Sequence, residues 1–190
     1  MRQPAIHTIL IQKLSRRLTR RKRKAVCWIG GIFGVLIALQ FLFVWNTTAS
    51  LPVGLYVKTH SRQIHRGDLV SVCPPDQPVF REAQRRNWLS CGLCPSGSGK
   101  LVKQVAALEG DRVVIDASGV TVNGQQYPNS RRILRIGDLR VPFARTLEAD
   151  EVLLMTTHPR SFDGRYFGIQ KTDCILTGVK PVFTWIKEES

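Results

Sequence analysis

A chain of 190 residues has room for one ordinary domain plus a tail or anchor, which excludes two large domains. Its formal charge of +14 would, in a soluble protein, point toward nucleic acid. The distribution argues against that partner: nine of the 28 Lys and Arg residues lie before Ala25 with no acid among them, and the other 19 face 14 acids.

The basic block comprises Arg2, Lys13, Arg16, Arg17, Arg20, Arg21, Lys22, Arg23 and Lys24. It ends where an apolar run begins, the positive-inside pattern that keeps an N-terminus cytoplasmic. From Ala25 to Trp45 the only strongly polar side chain is Gln40, and about 20 such residues match the hydrocarbon thickness for a helix. The pattern predicts a basic cytoplasmic tail at 1–24, a transmembrane signal anchor at 25–45 and an exported domain at 46–190. A cleavable signal peptide has a shorter apolar core, and Phe41-Leu42-Phe43-Val44-Trp45 makes this one too long. Trp45 suits the far interface as an aromatic anchor. The lipid bilayer is therefore an expected partner and nucleic acid is not.

Beyond the span the chain reads as short strands. Val53 to Thr59 is strand-like, and Ile64 to Asp68 reads as a turn into the β-branched run Leu69 to Val72, stopped by Cys73-Pro74-Pro75. Phe80 to Leu89 is the one stretch with helical character, and Pro95 to Lys100 reads as a flexible loop. Leu101 to Leu108 is a second apolar run. It ends at Glu109-Gly110-Asp111 before Arg112 to Asp116 resumes as a strand, and the Gly-Asp turn predicts a hairpin there. Asn123-Gly124, the preferred type I′ turn dipeptide, follows Val120 to Val122. Arg131 to Thr146 reads as an irregular excursion, Glu151 to Met155 as a clear strand, and Cys174 to Val179 as a return to the sheet. The whole predicts a mainly β domain, a meander of antiparallel strands.

Cys27 falls near the cytoplasmic end of the span, leaving Cys73, Cys91, Cys94 and Cys174 beyond it. An even number in an exported domain is compatible with disulfides in three pairings. Cys91-Gly92-Leu93-Cys94 has neither a second pair nor suitably spaced histidines to make a zinc site, and no thioredoxin-like pattern surrounds it. No metal or cofactor is expected.

Few residues in this domain could do chemistry. Ser50 lies five residues past Trp45, at most about 17 Å along an extended chain. A serine nucleophile needs a base. His60, His65 and His158 are candidates, but no Gly-x-Ser-x-Gly elbow surrounds Ser50. Lys103 is the better one. It is the only charge between Leu101 and Leu108, in a strand that should be mostly buried, and desolvation draws a lysine pKa down from about 10.4 toward neutrality. The plainer alternative is a lysine snorkelling from a strand edge.

Four stretches, in order, resemble the signal peptidase I superfamily of Ser-Lys proteases. Ser50-Leu51-Pro52 resembles the nucleophile box and Arg66-Gly67-Asp68-Leu69-Val70 the strand box that follows. The stretch from Lys103 to Val113, with Leu108-Glu109-Gly110-Asp111 inside it, is similar to the lysine box, and Ser161 to Gly168 to the terminal Ser-x-Asp-Ser-Arg-x-x-Gly box. The closer likeness is to conjugative-transfer peptidases of the TraF type. It is carried by Ser50-Leu51-Pro52-Val53-Gly54-Leu55-Tyr56, by the Cys-Pro pairs at Cys73 and Cys94, and by Gly119 to Gly124. It covers roughly Thr47 to the end. Gln104, Glu109 and Gly164 stand where arginine, proline and serine are usual.

This resemblance implies a signal-peptidase-I-like antiparallel β domain with one N-terminal transmembrane helix. It also implies Ser50 as nucleophile and Lys103 as general base, with the Ser50 backbone N–H and the Thr48 hydroxyl facing the oxyanion. Ser161 would orient Lys103, and Asp163 and Arg165 would form a supporting ion pair on one face if extended. It further implies a Cys73–Cys94 disulfide, with Cys91 and Cys174 free or paired with each other. The implied substrate is an exported pilin precursor or another preprotein, met at the bacterial inner membrane by a periplasmic catalytic domain, with conjugative type IV secretion components as further partners. An acyl-enzyme can be released by water or by a substrate amine, so cleavage and head-to-tail cyclisation both stay open. The competing readings are a general signal peptidase I and a non-catalytic anchored β module of a secretion complex; a surface-exposed Lys103 would favour the latter.

Overall fold

The computed structural model describes residues 6–59, 63–133 and 142–185, with side chains from residue 22 onward. Helix α1 runs Ile6–Leu42, and its segment Lys22–Leu42, of mean hydropathy 2.2, is long and apolar enough to cross a membrane. The helix ends at Leu42, short of Trp45. Phe43–Asn46 instead forms strand β1, paired antiparallel with β2, Val53–Thr59. In β1 the buried side chains alternate, Val44 and Asn46 inward and Trp45 outward, a period of two that a helix cannot use. Trp45 thus lies on a strand, edge-on to Trp185 with ring centroids 6.0 Å apart.

From Phe43 onward the chain packs as a compact unit of its own. Its strands are β3 (Leu69–Val72), β4 (Leu101–Ala107), β5 (Arg112–Ile115), β6 (Val120–Val122), β7 (Gln125–Gln126), β8 (Phe143–Thr146), β9 (Glu151–Met155), β10 (Gln170–Lys171) and β11 (Ile175–Trp185). They form two antiparallel sheets, of order β1-β2-β11-β3-β4-β9-β10 and β7-β6-β5-β8. The domain is mainly β, as its pattern predicts, but it is not a meander. The last strand, β11, enters between β2 and β3.

The hairpin expected at Glu109-Gly110-Asp111 does not form, because β4 pairs with β3 and β9 while β5 pairs with β6 and β8. The turn passes the chain from one sheet to the other. Gly110 and Leu147 hold it there, the Gly110 N–H donating to the Leu147 carbonyl and the Leu147 N–H to that of Asp111. The Asp111 carboxylate also accepts from the Leu108 N–H and from Arg66 and Asn123. The hairpin predicted at Asn123-Gly124 is present, both residues having positive φ, 51° and 82°, as a type I′ turn needs. Within the segment read as irregular, Phe143–Thr146 is a strand and 134–141 lies outside the described residues.

Two helical turns cover the large sheet. Helix α2, Pro78–Arg85, starts with proline in its first turn and turns Phe80 and Ala83 inward. Helix α3, Gly164–Phe167, is capped by the Asp163 side chain, which accepts from the Arg165 N–H. Phe80, Phe162, Tyr166 and Phe167 meet Val70, Leu101, Val105, Val152 and Leu154 in one core. A second core joins the two sheets through Ala107, Val113, Ile115, Leu153 and Met155. Every residue of β9 is buried, since alternate side chains enter the two cores.

Cys73 and Cys94 form a disulfide, with Cα atoms 5.3 Å apart, that ties the end of β3 to the loop beyond α2. Cys91 and Cys174 are free thiols, the first exposed and the second buried, and burial pushes the Cys174 thiol up to about 11. The loop at Pro95 to Lys100 is closed on itself: Ser96 and Ser98 are buried with their hydroxyls 2.8 Å apart, and the Cys94 N–H donates to Ser98.

Candidate active site

Strand alternation puts Leu101, Lys103 and Val105 on one face of β4, and that face belongs to the aromatic core. Lys103 is 3% exposed, so it does not snorkel from an edge. Its ammonium donates to Ser161 Oγ at 2.9 Å. Burial draws its pKa down to about 8; the Asp163 carboxylate opposes that shift and the Arg165 guanidinium adds to it.

Ser161 is held in turn from below. Its N–H donates to the His158 carbonyl. Asp163 and Arg165 are fully buried, and the Arg165 Nε lies 2.7 Å from Asp163 Oδ1 with Nη2 2.9 Å from Oδ2. The pair was expected on an extended segment. It forms instead across the start of α3, where Asp163 caps the turn that carries Arg165. The remaining guanidinium donors reach the carbonyls of Asn129, Thr156, His158 and Pro159, fastening the segment that precedes Ser161. Gly164 has a steric reason: a Cβ there would come within 2.9 Å of the Leu154 carbonyl oxygen on β9. A side chain at this position would require the Leu154 backbone or the start of α3 to shift.

Ser50 sits in a turn between β1 and β2, half-buried. Ser50, Thr48 and Lys103 line one cleft of about 570 Å³, whose walls include Trp88, Leu89, Ile133, Phe162 and Tyr166. Among the described residues no hydrogen bond joins Ser50 to Lys103, whose Nζ bonds to Ser161. The Thr48 hydroxyl donates to Asn46 Oδ1 at 2.8 Å. Of the histidines, His158 lies on the cleft wall, its Nδ1 accepting from the Arg160 N–H, whereas His65 faces Asp68 in a different groove. His60 lies outside the described residues.

Sequence reasoning missed three contributors. Trp88 and Leu89 follow α2 and were read only as part of a helix. Asn46 ends β1, buried, with hydrogen bonds to Thr48, Leu51 and Pro52. The signal available for Asn46 was its place, the first amide after a long apolar run and two residues before Thr48, a spacing at which an Asn side chain bonds the backbone ahead of it.

A serine on an open turn and a desolvated lysine facing one cleft of a β domain is an arrangement suited to acyl transfer, and comparison with known proteins places the chain among the peptidases. Residues 20–185 match the family described as "Signal peptidase, peptidase S26", and the chain belongs to that family. It is 41% identical over 147 residues to a "Plasmid transfer protein TraF" of Escherichia coli, a match covering 74% of this chain and 82% of that one. It is 34% identical over 174 residues to a "Conjugal transfer protein TraF" of Agrobacterium tumefaciens (strain 15955), covering 87% and 98%. A crystal structure of a signal peptidase I from Enterococcus faecalis V583 aligns with 63% of this chain and 98% of its own at 17% identity. The TM-score is 0.36, and the family assignment does not rest on it.

Proposed function

We propose that this chain is a membrane-anchored serine endopeptidase that processes an exported pilin precursor for conjugative transfer, with Ser50 as nucleophile and Lys103 as general base. The observation that carries the reading is a buried lysine with a lowered pKa on the same cleft as a half-exposed serine. The relatives' names supply the conjugative context, and the apolar segment Lys22–Leu42 supplies the anchor. The basic residues preceding it favour a cytoplasmic N-terminus, hence a catalytic domain on the periplasmic side of the inner membrane.

The chemistry follows from the placement. Ser50 Oγ attacks the scissile carbonyl carbon as its proton passes to the neutral Lys103 Nζ. The tetrahedral oxyanion faces the Ser50 backbone N–H and the Thr48 hydroxyl. When the C–N bond breaks, the Lys103 ammonium gives its proton to the leaving amine and an ester to Ser50 remains. Water, deprotonated by Lys103, or an amine of the substrate then takes the acyl group and frees Ser50. An extended substrate strand along the apolar walls accounts for how a preprotein is held. The test is precursor processing in cells carrying Ser50→Ala or Lys103→Ala, with membrane levels of each variant measured by blot. Accumulated precursor at normal enzyme level is the expected result, and undisturbed processing removes the dyad in favour of a non-catalytic anchored module.

A further inference from the structure

One side chain beside Ser50 has every polar atom engaged and no part in the dyad. Asn46 closes β1 opposite Gly54 of β2 and is 3% exposed. The two protons of its Nδ2 are shared among three carbonyl oxygens, those of Thr48 at 3.0 Å, Leu51 at 3.2 Å and Pro52 at 3.2 Å. Its Oδ1 accepts from the Thr48 N–H at 3.2 Å and the Thr48 hydroxyl at 2.8 Å. These partners fix the orientation of the amide, since the reversed amide would set its oxygen against three carbonyls and its NH₂ against an N–H. The five bonds fall on both flanks of Ser50 and none on Ser50 itself. From β2, the buried Tyr56 hydroxyl adds a bond to the Pro52 carbonyl at 2.7 Å.

The residue type is constrained. Aspartate matches the shape but has no donors, and would face three carbonyl oxygens with a negative charge. Alanine takes the Asn46 donor from those carbonyls, of which that of Pro52 keeps the Tyr56 hydroxyl, and leaves the Thr48 N–H without its acceptor in a part-buried turn, where unpaired polar groups are costly. Thr48 adds a second constraint. A hydroxyl has one proton, and here Asn46 Oδ1 takes it, so Thr48 can donate to an oxyanion only by leaving Asn46. Oδ1 keeps the Thr48 backbone N–H when that happens, and the turn stays closed.

We propose that Asn46 is the positioning residue of the nucleophile: its amide holds the Thr48–Pro52 turn that aims Ser50, and its Oδ1 keeps the Thr48 hydroxyl proton in place until the oxyanion competes for it. This rests on the Ser50/Lys103 reading above. Asn46 acts through Ser50 and Thr48 and need not touch substrate.

The test uses the full chain, solubilised from membranes, with a preprotein substrate, measuring kcat, KM and the thermal midpoint for Asn46→Ala, Asn46→Asp, Asn46→Ser, Thr48→Val and the Asn46→Ala/Thr48→Val double variant. Ser50→Ala and Lys103→Ala serve as controls. Misaiming the nucleophile and its oxyanion donor is expected to lower kcat about 10²-fold in Asn46→Ala and Asn46→Asp, with KM changed less than about threefold. The double variant should lose much less than the product of the two single losses, because Asn46 acts in part through the hydroxyl that Thr48→Val removes. Asn46→Ser decides the matter if Asn46→Ala fails to accumulate. Wild-type kcat in the Asn46 variants beside inactive controls overturns the proposal. So does a loss that follows only the thermal midpoint, which makes Asn46 merely structural, while full additivity with Thr48→Val overturns the part of the proposal that runs through the Thr48 hydroxyl. Activity in Ser50→Ala or Lys103→Ala instead overturns the dyad, and this proposal with it.

Discussion

The two sides of the cleft are built on opposite plans. On the lysine side, Lys103, Ser161, Asp163 and Arg165 are between 0% and 3% exposed and are drawn from β4, α3 and the segment leading into it. On the serine side, a single half-buried turn is pinned by one amide and one tyrosine hydroxyl. The contrast follows from what each group needs. Lys103 is drawn toward a base at ordinary pH chiefly by losing water, with the Arg165 guanidinium adding to the shift, and that takes a packed wall around it. A serine needs access to a carbonyl and an aim, and a turn supplies both.

The sharpest way to break the comparison is to leave Lys103 charged. Lys103→Arg keeps the bulk and the positive charge but cannot release its proton. Activity should fall about 10²–10⁴-fold, the usual contribution of a general base, as measured by kcat/KM on a preprotein. On the proposed mechanism the neutral amine is the active form. The rate should therefore climb with pH and level off above about 8, and below that point lose about tenfold per pH unit. Asp163→Asn removes the carboxylate that favours the ammonium, so this limb should move to lower pH. An unchanged limb would show that Lys103 is not the titrating base.

The second prediction sets the rigidity of the two sides against each other. Arg165→Ala leaves Asp163 buried without its cation and deprives four carbonyls of their donor. Breaking a buried pair in this way costs about 3–5 kcal/mol, a large part of a typical domain's stability, and denaturant unfolding would read it. Arg165→Lys should recover little, because one ammonium cannot reproduce a planar fork of donors. A loss below about 1 kcal/mol would mean that the lysine side is no more rigid than the serine side.

How much of this was legible in the sequence depended on whether a signal was local. The strands Val53–Thr59, Leu69–Val72 and Glu151–Met155 follow from β-branched and apolar runs bounded by turn residues, and they stand where the pattern put them. The partners of those strands were not legible. Glu109-Gly110-Asp111 looks like any hairpin turn, and only the long-range pairing of β4 with β3 and β9 and of β5 with β6 and β8 makes it a crossing between sheets. Strand β1 was hidden for a related reason. Phe43-Val44-Trp45 continues the apolar run of the helix, and hydrophobicity alone does not separate a lipid-facing helix from a strand with one buried face. Lys103 was legible because a lone charge in an apolar run is a conspicuous expense. Asn46 was not, because an amide at the end of a span reads as ordinary interface.

The disulfide gives a third and smaller test, located between the two sides. It closes a loop with a sequence separation of 21 that carries α2 and the cleft residues Trp88 and Leu89. On the chain-entropy account, releasing such a loop destabilises the fold by about 3 kcal/mol. Cys73→Ser/Cys94→Ser should show that loss in thermal unfolding. Its kinetic effect should fall on KM more than on kcat, because on the proposed reading the released wall would hold substrate rather than the reacting groups. A loss confined to kcat would place Trp88 and Leu89 closer to the chemistry than the geometry does.

The smallest effect has the most informative sign, because it asks what the buried lysine costs. In the unfolded chain Lys103 titrates near 10.5 and in the fold near 8. Between those values the unfolded state binds more protons, so wild-type stability should rise with pH from about 8 to about 10.5. Below about 8 both states are protonated and the full cost is present, about 3 kcal/mol for a depression of this size. Lys103→Met removes that cost but leaves Ser161 Oγ without its donor, a penalty of about 1–3 kcal/mol in a buried site. The variant should therefore be inactive yet about 1 kcal/mol more stable than wild type near pH 7, and that advantage should vanish or reverse as pH nears 10.5. Chemical denaturation of both proteins at pH 7 and pH 10 checks it. A constant difference across that range would mean that Lys103 is solvated, and the contrast between a dry base and an open nucleophile would collapse. A difference that shrinks with pH would show that the fold carries a cost in stability to hold Lys103 dry, as the proposed base for Ser50 requires.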